Sequence, residues 1–303
     1  MRRKFYTLDV FTEAALAGNA LAVVLDCDGL DAARMQAIAR EFNLSETVFL
    51  LPPRDPVNTA RARIFTPGLE LPFAGHPTVG TAVLLAELRA PEMLLRQDVA
   101  IVIEEGVGNV NCTVRHLKNS AARGSFLLPR LPEYLDRLGT TEAIAAALGL
   151  APADIGFGRH QPARLSAGVA FAFVPAASRE AVRRIRLDLG QWQAAFGKQE
   201  LAPVFVYCSE PLDDSRHFHA RMFAPGMGVS EDPATGSAAA ALSGAIMRFD
   251  RPADGDHTFV IEQGFEIGRP SLITLGLEVS GGNLVSASIG GSAVIVAQGI
   301  IEA

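Results

Sequence analysis

The residue in this sequence best suited to moving a proton is Glu46. It stands in the run Asn43-Leu44-Ser45-Glu46-Thr47-Val48-Phe49-Leu50, after Asn43, a helix-stop residue. Strand alternation puts Leu44, Glu46, Val48 and Leu50 on one face. A carboxylate on an otherwise apolar face is disfavoured in its charged form, so its pKa is expected to rise towards neutrality. A carboxyl tuned in that way can take and return a proton at working pH. The competing reading is a solvated acid at the exposed start of the strand, and the residues alone weigh the two evenly. His76 is the second candidate, because an imidazole can donate or accept near neutral pH. It lies at a predicted helix start, where its cationic form is disfavoured and a neutral hydrogen-bonding ring is favoured. Asp232 is the third. It precedes Pro233 and reads either as a helix N-cap or as a carboxylate for a substrate amine or hydroxyl.

Two helix starts add a possible anion site. Pro77–Leu88 and Pro233–Met247 are apolar or small on nearly every face, with Pro in the first turn. The free backbone N–H groups at such a start, with the positive end of the helix dipole, suit a carboxylate or phosphate. Gly236 and Ser237 beside Asp232 favour that reading. Gly80, inside its helix, reads equally as a site residue and as a close-packing residue. His217 and His219 alternate with Arg221 along one strand and lack a third ligand at a sensible spacing, so they read as a polar strand face and not as a metal site. Neither Gly290-Gly291 nor Gly106-Val107-Gly108 opens a helix after a strand, so neither begins a dinucleotide fingerprint.

These candidates sit in an internal repeat. Ala62-Arg63-Ile64-Phe65-Thr66-Pro67-Gly68 is matched by Ala220-Arg221-Met222-Phe223-Ala224-Pro225-Gly226. The match continues through a loop, aligning His76 with Asp232, Pro77 with Pro233, Gly80 with Gly236 and Thr81 with Ser237. A repeat of this length means two similar lobes and not a solenoid. The repeat is chemically unequal. The strand that matches Glu46, Leu201-Ala202-Pro203-Val204-Phe205, is apolar, and the nearest acid, Glu200, belongs to the polar turn Gly197-Lys198-Gln199-Glu200. Ala74 and Gly75 occupy one helix start, Thr235 and Gly236 the other, so neither carries a cysteine. A two-base racemase needs a proton acceptor on each side of the reacting carbon. This chain offers one good base with unequal helpers.

The elements that must position these groups are short strands rich in Val, Ile and Phe, separated by Gly, Pro and Asp turns. They are expected at Lys4–Val10, Leu21–Leu25, Thr47–Leu51, Ala60–Phe65, Ala100–Glu104 and Asn109–Arg115. A second set is expected at Gly168–Val174, Val204–Cys208, His217–Phe223, Thr258–Ile261, Ser271–Val279 and Leu284–Ile289. Surface helices are expected after Asp31, an N-cap with Leu30 and Met35 as a hydrophobic staple, and at Thr141–Leu148 before Gly149. Leu187–Phe196 reads as the second-half partner of the Asp31 helix. The two helices without a polar face must be surrounded. The fold class is therefore α+β, two pseudo-symmetric lobes, each a curled, mostly antiparallel sheet around one buried helix. The helix starts are expected to face one cleft. Residues 1–118 and 124–291 form the expected lobes, with a linker near Leu117–Gly124 and Ser292–Ala303 crossing back to the first.

Composition excludes other classes. The 303 residues carry 27 Lys and Arg against 33 Asp and Glu, a net charge of −6 that argues against nucleic acid and polybasic membrane surfaces. No run approaches the roughly 20 apolar residues of a membrane-spanning helix. The basic start, MRRKFYTLDVF, alternates as a strand and is not a signal peptide's apolar core. Cys27, Cys112 and Cys208 are scattered, odd in number and without paired spacing, which suits a reducing cytoplasm.

Taken together, the residues resemble the PhzF-like family, named for the phenazine biosynthesis isomerase, within the diaminopimelate epimerase fold. The resemblance runs along almost the whole chain. It is carried by Ser45-Glu46-Thr47, Phe65-Thr66-Pro67 through Gly75-His76-Pro77-Thr78, Met222-Phe223-Ala224-Pro225, and Glu231-Asp232-Pro233-Ala234-Thr235-Gly236-Ser237-Ala238. Gln263-Gly264 and Gly268-Arg269-Pro270-Ser271 add to it. Gly18-Asn19-Ala20 departs from it, since the family typically has Pro after Asn. The resemblance implies no cofactor and a homodimer, and no ligand cluster has metal spacing. In the phenazine enzyme the substrate is a dihydro-hydroxyanthranilate, and one glutamate moves a proton between ring carbons. That role falls on Glu46. The family's substrate-binding positions fall on Gly75, His76, Asp232, Gly236 and Ser237. The epimerase's two catalytic cysteines have no counterpart. The expectation is a cytoplasmic, cofactor-independent isomerase of a small carboxylate-bearing molecule. A two-base racemase or epimerase using Glu46 with His76 or Asp232, and a non-catalytic binding protein of the same fold, are the competing readings.

Overall fold

The computed structural model describes residues 2–117, 121–197 and 202–303. The chain divides into two units, Met1–Pro129 with Ile289–Ala303, and Arg130–Ser288. The strands up to Pro129 are β1 (Arg2–Val10), β2 (Asn19–Val24), β3 (Glu46–Leu51), β4 (Ala60–Phe65), β5 (Glu70–Leu71), β6 (Val99–Glu105), β7 (Gly108–His116) and β8 (Ala122–Leu127). Helix α1 (Ala32–Phe42) lies between β2 and β3, and α2 (Gly75–Arg89) and α3 (Pro91–Leu94) between β5 and β6. The second stretch holds β9 (Glu133–Arg137), β10 (Ala163–Ser166), β11 (Ala170–Pro175), β12 (Val204–Cys208), β13 (Phe218–Ala224), β14 (Val229–Asp232), β15 (Gly255–Gln263), β16 (Ser271–Ser280) and β17 (Asn283–Glu302). Its helices are α4 (Thr141–Leu148), α5 (Arg179–Arg184), α6 (Trp192–Phe196) and α7 (Gly236–Phe249).

The repeat in the sequence is a repeat of strand pairings. In the first unit β1–β2 is antiparallel, β2–β3 parallel, β3–β4 and β4–β5 antiparallel, β4–β6 parallel and β6–β7 antiparallel. In the second, β10–β11, β11–β12, β12–β13, β13–β14, β13–β15 and β15–β16 follow the same series of directions. β8 pairs with β7, and the C-terminal part of β17 pairs with β8 and β1, which closes the first sheet into an eight-stranded barrel.

Helix α2 fills that barrel. Every residue from Gly75 to Ala86 is buried, and the helix packs on β1, β2, β3, β6, β7 and β8. A helix apolar on all sides has no stable place except inside such a wall. Helix α7 is enclosed in the same manner by β9, β10, β11 and β16. Helix α1 is amphipathic and covers the outer face of β3 and β4, where Met35, Ile38 and Ala39 pack with Phe49, Leu51 and Phe65. Asp31 caps it, accepting the N–H of Arg34, and Asn43 ends it in the left-handed conformation. Gly149 ends α4 likewise.

Some expectations are corrected. The segment expected as a linker, Leu117–Gly124, enters β8 at Ala122, and the first unit runs on to Pro129. Its inward residues include Gly124, where an added Cβ would lie 3.1 Å from the Val79 carbonyl of α2. Small residues let the helix approach there, and they erase the apolar alternation by which a strand is read. Residues 118–120, in the same segment, lie outside the described residues. The helix expected at Leu187–Phe196 is only the short α6, preceded by α5. β9 escapes a sequence reading because all five of its residues are exposed.

Candidate active site

In the first unit the barrel brings Glu46, His76 and Asn19 together. Glu46 is the first residue of β3, and Val48, two places along, is fully buried. Its side chain is 16% exposed, which excludes a freely solvated acid. Its Oε2 lies 3.4 Å from Nε2 of His76, the second residue of α2. The other ring nitrogen, Nδ1, lies 3.4 Å from the amide nitrogen of Asn19, the first residue of β2. Burial pulls the pKa of His76 down to about 3, against a hydrogen bond to the Ala20 carbonyl that favours the charged ring. The imidazole is neutral at any working pH. Gly75, just before it, is buried at the start of α2, and neither Gly75 nor its N-cap neighbour Ala74 brings a side chain to cap the helix. Gly80 is resolved as a packing residue, since a Cβ there would lie 2.7 Å from Leu21 and from Val10.

In the second unit the aligned residues are held differently. Helix α7 begins at Gly236, so Asp232 ends β14 and Pro233 stands outside the first turn. Asp232 is not the N-cap. That position is Thr235, whose side chain does not cap the helix either. Its hydroxyl instead donates to Asp232 Oδ2 at 2.5 Å. The reason the loop stays open is Gln263, at the end of β15. Its Nε2 donates to the Asp232 carbonyl at 2.8 Å and to Thr235 Oγ1 at 2.9 Å, while its Oε1 accepts the Thr235 N–H at 3.1 Å. The amide thus takes the backbone bonds that one more turn of helix would have used. Gly264 follows because a Cβ there would strike the Pro233 carbonyl at 2.6 Å. Gly236 is buried and Ser237 partly buried at the start of α7.

Behind this loop His219, Arg221 and their partners form a buried charge network, in place of the polar strand face expected from the sequence. His219 lies between Glu262 at 2.9 Å and Glu266 at 2.8 Å. Burial opposes its charge, but the bonds to the two carboxylates outweigh it and raise its pKa. Arg221 forks onto Glu231 at 2.9 and 2.6 Å. His217 is exposed and lies outside β13. Among the described residues no group of three His, Cys, Asp or Glu side chains could hold a metal ion, and no helix is long and apolar enough to cross a membrane. Glu200 of the polar turn, and Leu201 at the start of the strand that matches Glu46's in the repeat, lie outside the described residues.

Sequence reasoning missed Asn19, Thr235 and Gln263 as site residues. Asn19 carries a signal in Gly18, whose positive φ of 64° turns the chain into β2. Gln263 carries one in the Gly that follows it.

Barrel, enclosed helix and repeated pairing series agree with the fold that the resemblance to the PhzF-like family implies. A sequence model of the phenazine biosynthesis-like proteins matches residues 8–299. An uncharacterized isomerase of Mesorhizobium japonicum is 54% identical over 98% of both chains. The trans-2,3-dihydro-3-hydroxyanthranilate isomerase of Pseudomonas aeruginosa is 33% identical over 98% of both. Among solved structures, the PhzF-family protein of Bacillus anthracis aligns over 100% of both chains with a TM-score of 0.88 at 27% identity. The chain belongs to the phenazine biosynthesis-like, or PhzC-PhzF, family.

Proposed function

We propose that the protein is a cofactor-independent isomerase that moves a proton within a small carboxylate-bearing substrate, with Glu46 as the proton carrier. The observation that carries this reading is the pair at the end of the first barrel: a mostly buried carboxylate 3.4 Å from a buried imidazole held neutral. A neutral ring cannot lock Glu46 into a permanent ion pair, so the carboxyl is left able to gain and lose a proton. His76 then hydrogen-bonds a polar substrate group or a developing negative charge. The substrate carboxylate takes the N–H groups at Gly236 and Ser237, with Gly75 supplying the same kind of contact in the first unit. Asp232, already accepting from Thr235, orients an amine or hydroxyl with its carboxylate.

A ring compound of the kind named for the Pseudomonas relative offers each of these handles: a carboxylate, an amine, a hydroxyl and a conjugated frame along which a proton can move. A single carrier must remove and return the proton on one face, so the product is a positional isomer. The homodimer implied by the resemblance, and the cytoplasmic location that the scattered cysteines suit, belong to the same proposal. The test is product analysis by NMR after incubation with small cyclic amino and hydroxy acids in deuterated water. A positional isomer labelled on one face is the expected product. Inversion of a stereocentre without a positional shift would give the case to a two-base epimerase.

A further inference from the structure

The two parallel ladders share one register. In the first unit Ala60 pairs with Ile103 and Arg61 with Glu104; in the second Phe218 pairs with Ile261, His219 with Glu262 and Ala220 with Gln263. The repeated Ala-Arg-hydrophobic-Phe segments set Ala62 of β4 against Ala220 of β13. Glu104 therefore answers to Glu262, and Glu105 to Gln263. The first equivalence shows in the bonding. Glu104 accepts the N–H groups of Arg54 and Asp55, ahead of β4, and Glu262 accepts that of Leu212, ahead of β13. The second shows in the target. Gln263 binds Thr235 at the start of α7, and Glu105 Oε1 lies 2.8 Å from Thr78 Oγ1 in the first turn of α2.

A proton count bears on the state of Glu105. The Thr78 hydroxyl has one hydrogen, and it also lies 2.8 Å from the carbonyl of Ala74, the N-cap of α2. One hydrogen cannot fully serve both contacts, and both are hydrogen bonds when Glu105 supplies a second proton. The second oxygen, Oε2, is buried without a hydrogen-bond partner. An ionised carboxylate there would hold at most one donor, which a buried charge does not tolerate, whereas a neutral acid leaves only a carbonyl oxygen unmatched.

We propose that Glu105 is a neutral carboxylic acid at working pH, the first unit's counterpart of Gln263, and a positioning residue that holds the turn bearing Gly75 and His76 through a relay from its own O–H to Thr78 and on to Ala74. Burial accordingly raises its pKa to about 8. Several polar and titratable groups surround it. From α2 come Thr78 and, in the same turn, neutral His76. From β7 comes Cys112, whose thiol is pushed up by burial and then by Glu105. Asp28, Arg54, Arg61, Arg63, Glu70 and Glu104 line a hollow that Glu105 also borders. Arg63 is committed to Glu70, and Glu104 to its donors from the preceding loop. That the turn serves catalysis rests on the role proposed for His76. The protonation and the holding role do not.

The test needs no substrate. NMR titration of the side-chain carboxyl of Glu105, hydrogen exchange at the Thr78 amide and the His76 ring resonances are followed through pH 6 to about 10 in the native chain, Glu105→Gln and Thr78→Val. The carboxyl is expected to titrate near pH 8. Exchange at Thr78, corrected for its intrinsic rate, rises about tenfold per pH unit above that point in the native chain, with a step in the His76 resonances. Both are flat in Glu105→Gln, which keeps a donor at every pH. In Thr78→Val exchange is raised at all pH values and the alkaline step is lost. An ordinary glutamate midpoint, equal alkaline profiles in native chain and Glu105→Gln, or full protection in Thr78→Val would each overturn the inference. Each of these leaves the isomerase reading standing, just as an inverted product would leave the Glu105 titration untouched.

Discussion

Acid should weaken the first unit through one residue, His76. In the unfolded chain this side chain binds a proton below about pH 6.5, but in the barrel only below about 3. Its folded pKa is depressed, so between those values the unfolded state binds more protons. The stability from keeping the ring neutral is complete above about pH 6.5 and is lost as pH falls. The slope is about 1.4 kcal/mol per pH unit, or about 2 kcal/mol at pH 5 and about 4 kcal/mol near pH 3. His76→Gln keeps a neutral hydrogen-bonding side chain and removes the titration. The assay is urea unfolding of native and variant chains at about pH 7.5 and about pH 5, reading the transition of the first unit. Native protein is expected to lose about 2 kcal/mol more than the variant over that interval, roughly 4–8 °C in melting temperature. Parallel losses in the two chains would refute the claim that burial holds the ring neutral.

Three further outcomes follow from the packing. Gly80→Ala drives a methyl to 2.7 Å from Leu21 and Val10 and should destabilise the first unit by about 1–3 kcal/mol despite the better helix propensity of alanine, so an unchanged melting temperature would contradict the close packing. Gln263→Leu strands the Thr235 N–H and the Asp232 carbonyl in a buried loop; a loss of about 2 kcal/mol or more in chemical unfolding is expected, and a neutral result would show that the amide does not hold the loop. Turnover should be indifferent to EDTA, because no described cluster of side chains suits a metal, and activity lost to EDTA and restored by a divalent ion would overturn that.

How far the molecule is legible from its sequence depends on which force writes each feature. The duplicated barrel and its enclosed helices are legible because a helix apolar on all faces, such as Thr78–Ala86, admits one environment. Glu46 is legible because alternation from Val48 and Leu50 points it at the helix. The same argument was open for Glu105, which continues the alternation of Val99, Ile101 and Ile103 on β6, all three buried. It lies in no motif of the resemblance. The loop at Asp232 is not legible. Its form depends on Gln263, some thirty residues away, and local propensity before Pro233 favours the cap that the structure does not use. β8 and β9 are obscured by small or wholly exposed residues, which pair through the backbone and leave no hydrophobic pattern.

The central claim is that Glu46 alone carries the proton. The measurement that tests it most directly is turnover and ligand affinity of Glu46→Gln beside the native chain, on the compound that the product screen identifies. The substitution keeps the shape and a polar group facing His76 but cannot accept a proton. Turnover is expected to fall by at least about 10²-fold while affinity stays near native. Near-native turnover in Glu46→Gln would contradict the account.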